Sequence, residues 1–276
     1  YKTFSENAMI QLWKQHALNL VHYNAAPKKP SQRLKIHLFG NHTLSIEGKK
    51  LDFMDWKSPH LREFFLYLVM HPQGRISKEI VMDELFSNDD IKKSKNRLYV
   101  TIHRVNRFLH NQFGILEPFI QNQQGFVYFN QDLVEEIDVQ VYRKLTSVAN
   151  QLWYDDQEAA AELMQKANKI YQHELLSDFL YYDWLEKYRK SLQQTHGKLL
   201  KRLAAYYLRI ENKKEFEETS QQLIQLFPFD ESLYHDYISY LHLEKRQLEA
   251  HYWYTQLKML LEKELGLAPS FDFKNC

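Results

Sequence analysis

The spacing of apolar residues changes several times along the chain, and each change predicts a different kind of element. Apolar positions recur with the helical period in residues 1–26 and alternate with period two in residues 34–53. The helical period returns over 58–111 in three blocks, and two short apolar runs follow within 115–129. From 138–265 the whole pattern is helical. We therefore expect a mainly α protein with a small α+β part.

The order of elements in residues 34–131 is typical of a winged helix-turn-helix domain. The alternating runs predict a small antiparallel sheet. Ser58 and Pro59 suit the cap and first position of a helix, and Ser77 suits the start of the next one. The predicted sequence of elements after the sheet is three helices and a terminal hairpin, near 58–70, 77–87, 92–111 and 119–129, with the hairpin connection at 121–125.

Residues 132–276 predict a second, all-α domain built from helical repeats. Residues 206–208 stand before 215–218 much as 239–241 stand before 247–250, about 33 positions later. A period near 34 residues in a helix-turn-helix unit is typical of tetratricopeptide (TPR) repeats. The predicted helices of this domain lie near 138–152, 156–173, 182–211, 213–226, 230–243 and 245–265.

Residues 1–33 predict an N-terminal helix and a linker. Ser5 can cap the helix, and Pro27 and Pro30 flank two lysines in a stretch that cannot continue it. The helix is either an ordered tail or a remnant of an upstream domain. The start at Tyr1 rather than Met is compatible with missing upstream sequence.

Composition limits the kind of nucleic-acid binder this chain can be. The formal net charge is only +1, so a DNA-binding surface has to be a local patch. The single cysteine, Cys276, excludes an intramolecular disulfide and a cysteine-based zinc site. No apolar run of membrane-spanning length and no signal-peptide pattern is present, so we expect a cytoplasmic protein without membrane contact.

The third predicted helix of the first domain carries the most informative pattern. Leu98, Ile102, Val105 and Leu109 form one apolar seam that must face the domain core. Between positions 91 and 116 there are six Lys or Arg residues and no acidic residue. One side of the helix is therefore predicted to be buried, while the other is cationic in an almost neutral chain.

This arrangement fits a helix that reads the major groove of DNA. Arginine can bind guanine and asparagine can bind adenine through paired hydrogen bonds, whereas lysines near the helix start suit phosphates. We expect base contacts from Asn96, Arg97, Val100, His103, Arg104 and Arg107. We expect phosphate contacts from Lys92, Lys93 and Lys95. The alternative interpretation is a solvated cationic surface without a ligand.

Other candidate sites are weaker. His235, His242 and His251 lie on neighbouring helices, but their surroundings match no known metal-ligand spacing, and exposed histidines are the simpler interpretation. The pairs Glu135–Glu136 and Asp155–Asp156 are expected at helix starts, where acids favour the helix dipole. No nucleophile pair or phosphate loop is present, so we expect no enzyme, no cofactor and no metal. The tyrosine-rich helices after residue 206 predict packing, with some side chains left to line a concave face for a peptide or small ligand.

Several short strings, in order, resemble a known family. In the first domain they are 34–40, 57–59, 74–78, 96–98, 102–105 and 125–128. In the second they are 137–139, 174–176, 183–185, 228–230 and 264–270. Together they resemble SARP-type (antibiotic regulatory protein) transcription activators, in which an OmpR-type winged helix precedes a bacterial transcriptional activator domain.

The resemblance implies sequence-specific binding to double-stranded DNA, often at direct repeats, and activation through RNA polymerase. By the same likeness, residues 87–92 match a loop that contacts polymerase. A homodimer and an upstream receiver or sensor domain, as in two-component signalling, are compatible with the family. The wing departs from it, because Val127 stands where a basic residue is common, which puts a minor-groove contact in question.

A protein-interaction scaffold is the alternative function, since winged helices and repeats can both bind proteins. A protein-binding face should expose apolar anchors, whereas the helix after residue 91 exposes cations.

Overall fold

The computed structural model describes residues 33–71, 75–87 and 90–273. The predicted helix and linker before residue 33 lie outside the described residues, as does most of the predicted break at 88–90. None of the helices in the described ranges has the length and apolar character needed to span a bilayer.

The described residues form two compact units. Unit 1 comprises residues up to 148 together with 169–189, and unit 2 comprises 149–168 together with the residues from 190 onward. This division differs from the predicted domain boundary between 131 and 132, which was drawn from the sequence pattern and stays a prediction.

The first sheet of unit 1 has four strands in the order β3-β2-β1-β7. The strands are β1 (Leu34–His37), β2 (Thr43–Ile46), β3 (Lys49–Asp52) and β7 (Val134–Ile137). The predicted antiparallel pairing of β1, β2 and β3 is confirmed, and β7, a strand that was not predicted, pairs in parallel with β1. Glu135 and Glu136 lie on β7 rather than at a helix start, and Glu135 Oε1 is 3.0 Å from Lys35 Nζ on β1.

The three predicted helices of the first domain are confirmed as α1 (Pro59–Met70), α2 (Lys78–Leu85) and α3 (Ile91–Phe113). Ser77 caps α2 through a bond from the N–H of Ile80 to its hydroxyl, whereas Ser58 makes no side-chain cap bond. An aromatic core joins the helices, with Trp56 stacked on Phe108 at 4.2 Å between ring centroids.

A second sheet forms the wing, in the order β4-β6-β5. Its strands are β4 (Arg75–Ser77), β5 (Ile120–Gln123) and β6 (Phe126–Phe129). The hairpin is confirmed, but Gln124 and Gly125 alone connect its strands, with φ angles of 49° and 82°. This two-residue turn is shorter than the predicted connection because positive φ at both positions matches the twist of the strands.

The predicted helices of the second domain are confirmed with small shifts of their ends. They are α4 (Asp138–Leu152), α5 (Gln157–Ile170), α6 (Asp183–Arg209), α7 (Lys213–Leu226), α8 (Glu231–Leu243) and α9 (Gln247–Leu265). Most tyrosines of unit 2 after residue 206 are buried as predicted, and Phe216 of α7 lies 4.5 Å from Tyr240 of α8 between ring centroids.

Asp138 joins the start of α4 to the first sheet of unit 1. Its carboxylate accepts the backbone N–H groups of Leu38 at 2.7 Å, Phe39 at 3.0 Å and Val139 at 2.6 Å. The side chain is buried, and this burial outweighs the three hydrogen bonds and raises its pKa to about 6.

The irregular segment 171–182 also packs within unit 1. The N–H of Leu176 donates to the carbonyl of Leu38 at 2.9 Å. Arg189 is buried and donates to the carbonyls of Leu175, Leu176 and Phe179. These bonds satisfy backbone carbonyls that no regular element pairs, so Arg189 holds the segment in place.

In unit 2, the burial of His196 on α6 predicts a pH-dependent stability. This side chain is 4% exposed, and burial lowers its pKa to about 4. A histidine whose folded pKa is lowered binds its proton more readily when unfolded, so the stability it contributes above pH 6.5 is lost as the pH falls towards 4.

We therefore compare the unfolding free energies of the unmodified chain and of His196→Gln. From pH 7 to pH 4, the unmodified chain should lose roughly 2–3 kcal/mol more stability than the variant. Urea denaturation at several pH values measures it. Gln194→Ala, at an exposed position of the same helix, is the control and should show no such trend. A pH-independent difference for His196→Gln would contradict the expectation.

Candidate nucleic-acid interface

The candidate DNA face lies on α3, a helix with defined ends. Asp90 caps its start by accepting the N–H of Lys93 at 2.9 Å. Gly114 ends it in the left-handed conformation with φ of 73°, and its N–H bonds to the carbonyl of His110 at 2.7 Å. The 23 residues give a rod of about 34 Å, which is long enough to follow a groove of DNA.

The predicted apolar seam of α3 is confirmed. Leu98, Val105 and Leu109 are fully buried and Ile102 is 6% exposed. Asn106 adds a second anchor, because its side chain bonds to both the N–H and the carbonyl of Ile120 on β5 at 2.8 Å. These contacts fix the rotation of α3 about its axis and its position relative to the wing.

The structure places the predicted contact residues as follows. Those exposed to solvent are Lys92, Lys93, Lys95, Asn96, Val100, His103, Arg104 and Arg107. Arg97 is half-buried, and its guanidinium lies over the ring of Phe86 at 5.1 Å from the centroid. By helical spacing, the side of α3 opposite the seam carries Lys93, Asn96, Val100, His103 and Arg107, and Arg104 lies at its edge on the side of Arg97. Lys92, Lys95 and Arg97 lie towards the flanks.

The candidate DNA face has few local counter-charges. Within the described residues, an ion pair at the start of α3 joins Lys93 Nζ to Asp90 Oδ2 at 3.5 Å, and both side chains are largely exposed. An exposed pair of this kind contributes little to stability and can open when a phosphate approaches. The N-terminal end of the helix dipole adds further positive potential beside the lysines.

Two cations beside α3 were not predicted from the sequence. The guanidinium of Arg75 on β4 lies over the ring of Phe126 at 3.9 Å, next to the wing turn. Lys78 Nζ lies 5.3 Å from the ring centroid of Tyr99 on α3, and its backbone N–H donates to the carbonyl of Gly125. In the sequence they look like ordinary surface residues, and only the folding of β4 against the wing brings them to this surface.

The histidines considered for metal binding lie in another place and contact aromatic side chains. His235 lies beside Phe271, and both His242 and His251 lie beside Phe273. Across the residues that the structure describes, no group of three or more His, Cys, Asp or Glu side chains is placed to hold a metal ion.

Most of the chain is similar in structure to a known protein. The structure is similar to that of Mycobacterium tuberculosis EmbR in complex with a low-affinity phosphopeptide, with a TM-score of 0.64 at 15% sequence identity. The likeness covers 88% of this chain and 64% of that one, so this chain spans less than two thirds of that protein's length. The search of curated proteins gave no match.

A family model matches the second half of the chain. It describes the bacterial transcriptional activator domain, and the match runs over residues 137–275. This range begins at the last residue of β7 and includes every helix from α4 to α9. The chain therefore belongs to the bacterial transcriptional activator domain family.

Proposed function

We propose that the chain binds a specific sequence of double-stranded DNA through α3 and activates transcription through RNA polymerase. The observation that carries the proposal is the two-sided character of α3, which buries an apolar seam and exposes a surface of cations and amides. Such a helix can enter the major groove while the rest of its domain supports it.

The positions on α3 assign a role to each side chain. Arg104 and Arg107 can each reach guanine, Asn96 can pair with adenine, and Val100 can contact the methyl group of thymine. Lys92, Lys93 and Lys95 near the helix start would contact phosphates and fix the register. Arg97 lies at a flank over Phe86, so the backbone beside the groove is within its reach.

The wing contributes backbone contacts in this proposal rather than insertion into the minor groove. Val127 is fully buried in the wing sheet and cannot reach DNA. The exposed tip consists of Gln123, Gln124 and Gly125, which carry no charge. Arg75, whose guanidinium lies over Phe126 next to the tip, is suited to a phosphate.

A polymerase contact at residues 87–92 belongs to the same proposal. Positions 88 and 89 lie outside the described residues, but Ile91 next to them is 83% exposed. An exposed isoleucine at a helix start is suited to a protein contact. A cytoplasmic location and dimer binding to paired half-sites are further parts of the proposal.

The scaffold alternative receives less support from this surface. The exposed apolar side chains on α3 after its first turn are Tyr99 and Val100, at 36% and 49% exposure. A protein-docking face is expected to have a central cluster of apolar anchors, which the cations of α3 interrupt.

The salt dependence of DNA affinity tests the proposal. We expect the replacement of Lys92, Lys93 and Lys95 by alanine to reduce the slope of log K against log salt by about two to three, because each lost phosphate contact changes it by roughly 0.9. A DNA duplex is first selected from a pool of random sequences by binding to the protein. Fluorescence anisotropy titrations on this duplex at several salt concentrations then give the slope. Lys198→Ala on α6 is the control. No selected duplex, or binding without salt dependence, would refute the proposal.

A further inference from the structure

The residues after α9 fold back along a groove between α8 and α9 in unit 2. Gly266 ends α9 with φ of 67°, which reverses the chain. Glu231 Oε2, at the start of α8, accepts the N–H of Ser270 at 2.6 Å and its hydroxyl at 2.8 Å. Further along, the hydroxyl of Tyr254 on α9 donates to the carbonyl of Phe271 at 3.3 Å. We call residues 266–273 the tail.

Two phenylalanines of the tail fill two neighbouring aromatic sites. The ring of Phe271 lies 5.2 Å from His235 and 5.7 Å from Tyr254 between centroids. The ring of Phe273 lies 4.9 Å from His242, 5.3 Å from His251 and 5.5 Å from Tyr254. Tyr254 therefore lies between the two sites, and a segment with aromatic residues two positions apart occupies both of them.

The tail leaves part of the groove's contact and hydrogen-bonding capacity unused. Both phenylalanine side chains are only half-buried. Among the described residues, Nε2 of His242 is buried and has no hydrogen-bond partner, although it lies on the ring that faces Phe273. A buried polar atom without a partner costs free energy, so another occupant that offers a hydrogen bond there would bind better than the tail.

We propose that the groove is a docking site for a partner protein that presents a Ser-aromatic-x-aromatic segment, and that the tail occupies the site in cis. The serine supplies the two donors that Glu231 accepts, and the alternate aromatic side chains enter the sites on either side of Tyr254. The tail is the evidence for this chemistry, because it is a segment of that kind already seated on these residues. The inference does not depend on DNA binding.

Occupation in cis makes the site competitive. A tail attached by a few residues has an effective concentration on the order of millimolar. If the tail itself binds the open groove with a dissociation constant of roughly 10–100 µM, a partner segment would bind the unmodified chain about 10- to 100-fold more weakly than it binds the open groove. The tail therefore prevents binding by any partner segment whose affinity for the groove is too low to displace it.

The test uses a fluorescent peptide that copies residues 268–273 and the full chain carrying Phe271→Ala with Phe273→Ala. We expect this double variant to bind the peptide at least about 10-fold more tightly than the unmodified chain, by anisotropy. Adding Tyr254→Ala should abolish the gain, and so should replacing both phenylalanines of the peptide by alanine. Phe229→Ala, at an exposed position of unit 2, is the matched control and should bind no better than the unmodified chain.

A second variant with a smaller change tests the proposal even if the double variant does not fold. Ser270→Pro removes the backbone donor and the hydroxyl that bond to Glu231 but leaves both aromatic side chains, so we expect an intermediate gain in peptide affinity. Equal peptide binding by all variants would overturn the proposal. Concentration-dependent dimers of the unmodified chain that the peptide dissociates would also overturn it, because the groove would then serve exchange of tails between copies.

Discussion

Replacement of Arg104 and Arg107 together by alanine is expected to weaken binding to the selected DNA site by roughly 30-fold to 20,000-fold. Each arginine that binds a base with paired hydrogen bonds contributes about 1–3 kcal/mol of discrimination, and the two residues lie one turn apart on the exposed side of α3. Binding to a scrambled duplex should weaken far less, since that duplex loses only two charge contacts. Anisotropy titrations on both duplexes at one salt concentration measure the ratio.

This loss should come from the interface and not from folding. In the part of the chain that the structure describes, no hydrogen bond or ion pair joins either guanidinium to another residue, so the melting temperature should hardly change. Arg209→Ala, at an exposed position of α6, is the matched control for the loss of one cation. An equal loss on the selected and scrambled duplexes would show that both arginines contact phosphates only. No loss on either duplex would remove α3 from the interface.

The candidate DNA face could be predicted from the sequence because all its information lies within one helix. The apolar seam at Leu98, Ile102 and Val105 sets the rotation of α3, and the cations then fall on the opposite side by helical spacing. Arg75 and Lys78 could not be predicted in the same way. They approach this surface only because β4 pairs with β6, some 50 residues later along the chain.

The helices were predictable for a similar reason, while two strands were not. β4 has three residues, and β7 carries two glutamates between its apolar ends, so neither shows a clear alternation. The pairing of β7 with β1 joins positions about 100 residues apart, which no local pattern encodes. The tail escaped prediction as well, because its partners lie on two helices that precede it.

Asp138 belongs to a short sequence motif but acts on residues about 100 positions earlier in the chain. The string 137–139 contributed to the family resemblance, but the sequence alone does not say what its aspartate does. The structure gives the reason, since the carboxylate bonds to Leu38 and Phe39 at the end of β1. The parallel pairing of β7 with β1 brings these groups together. The acid therefore fixes the first turn of α4 to the sheet of unit 1.

We accordingly expect Asp138→Ala to lower the free energy of unfolding of unit 1 by about 3–5 kcal/mol at pH 5, because three buried N–H groups lose their acceptor. Asp138→Asn keeps one acceptor oxygen and should cost less. Asp155→Ala, at an exposed position, is the control and should change stability by less than about 0.5 kcal/mol. Urea denaturation followed by tryptophan fluorescence measures these differences.

The pH dependence of the unfolding free energy shows whether the protonation state of Asp138 contributes to stability. Burial raises the pKa of Asp138 to about 6, so the folded state holds this proton more tightly than the unfolded state does. The stability contributed by the protonated acid is present at pH 4 and is lost as the pH rises through 6. The difference in unfolding free energy between the unmodified chain and Asp138→Ala should therefore narrow from pH 4 to pH 7. A gap that widens with rising pH would show that the three N–H groups outweigh burial and that the carboxylate is the favoured form.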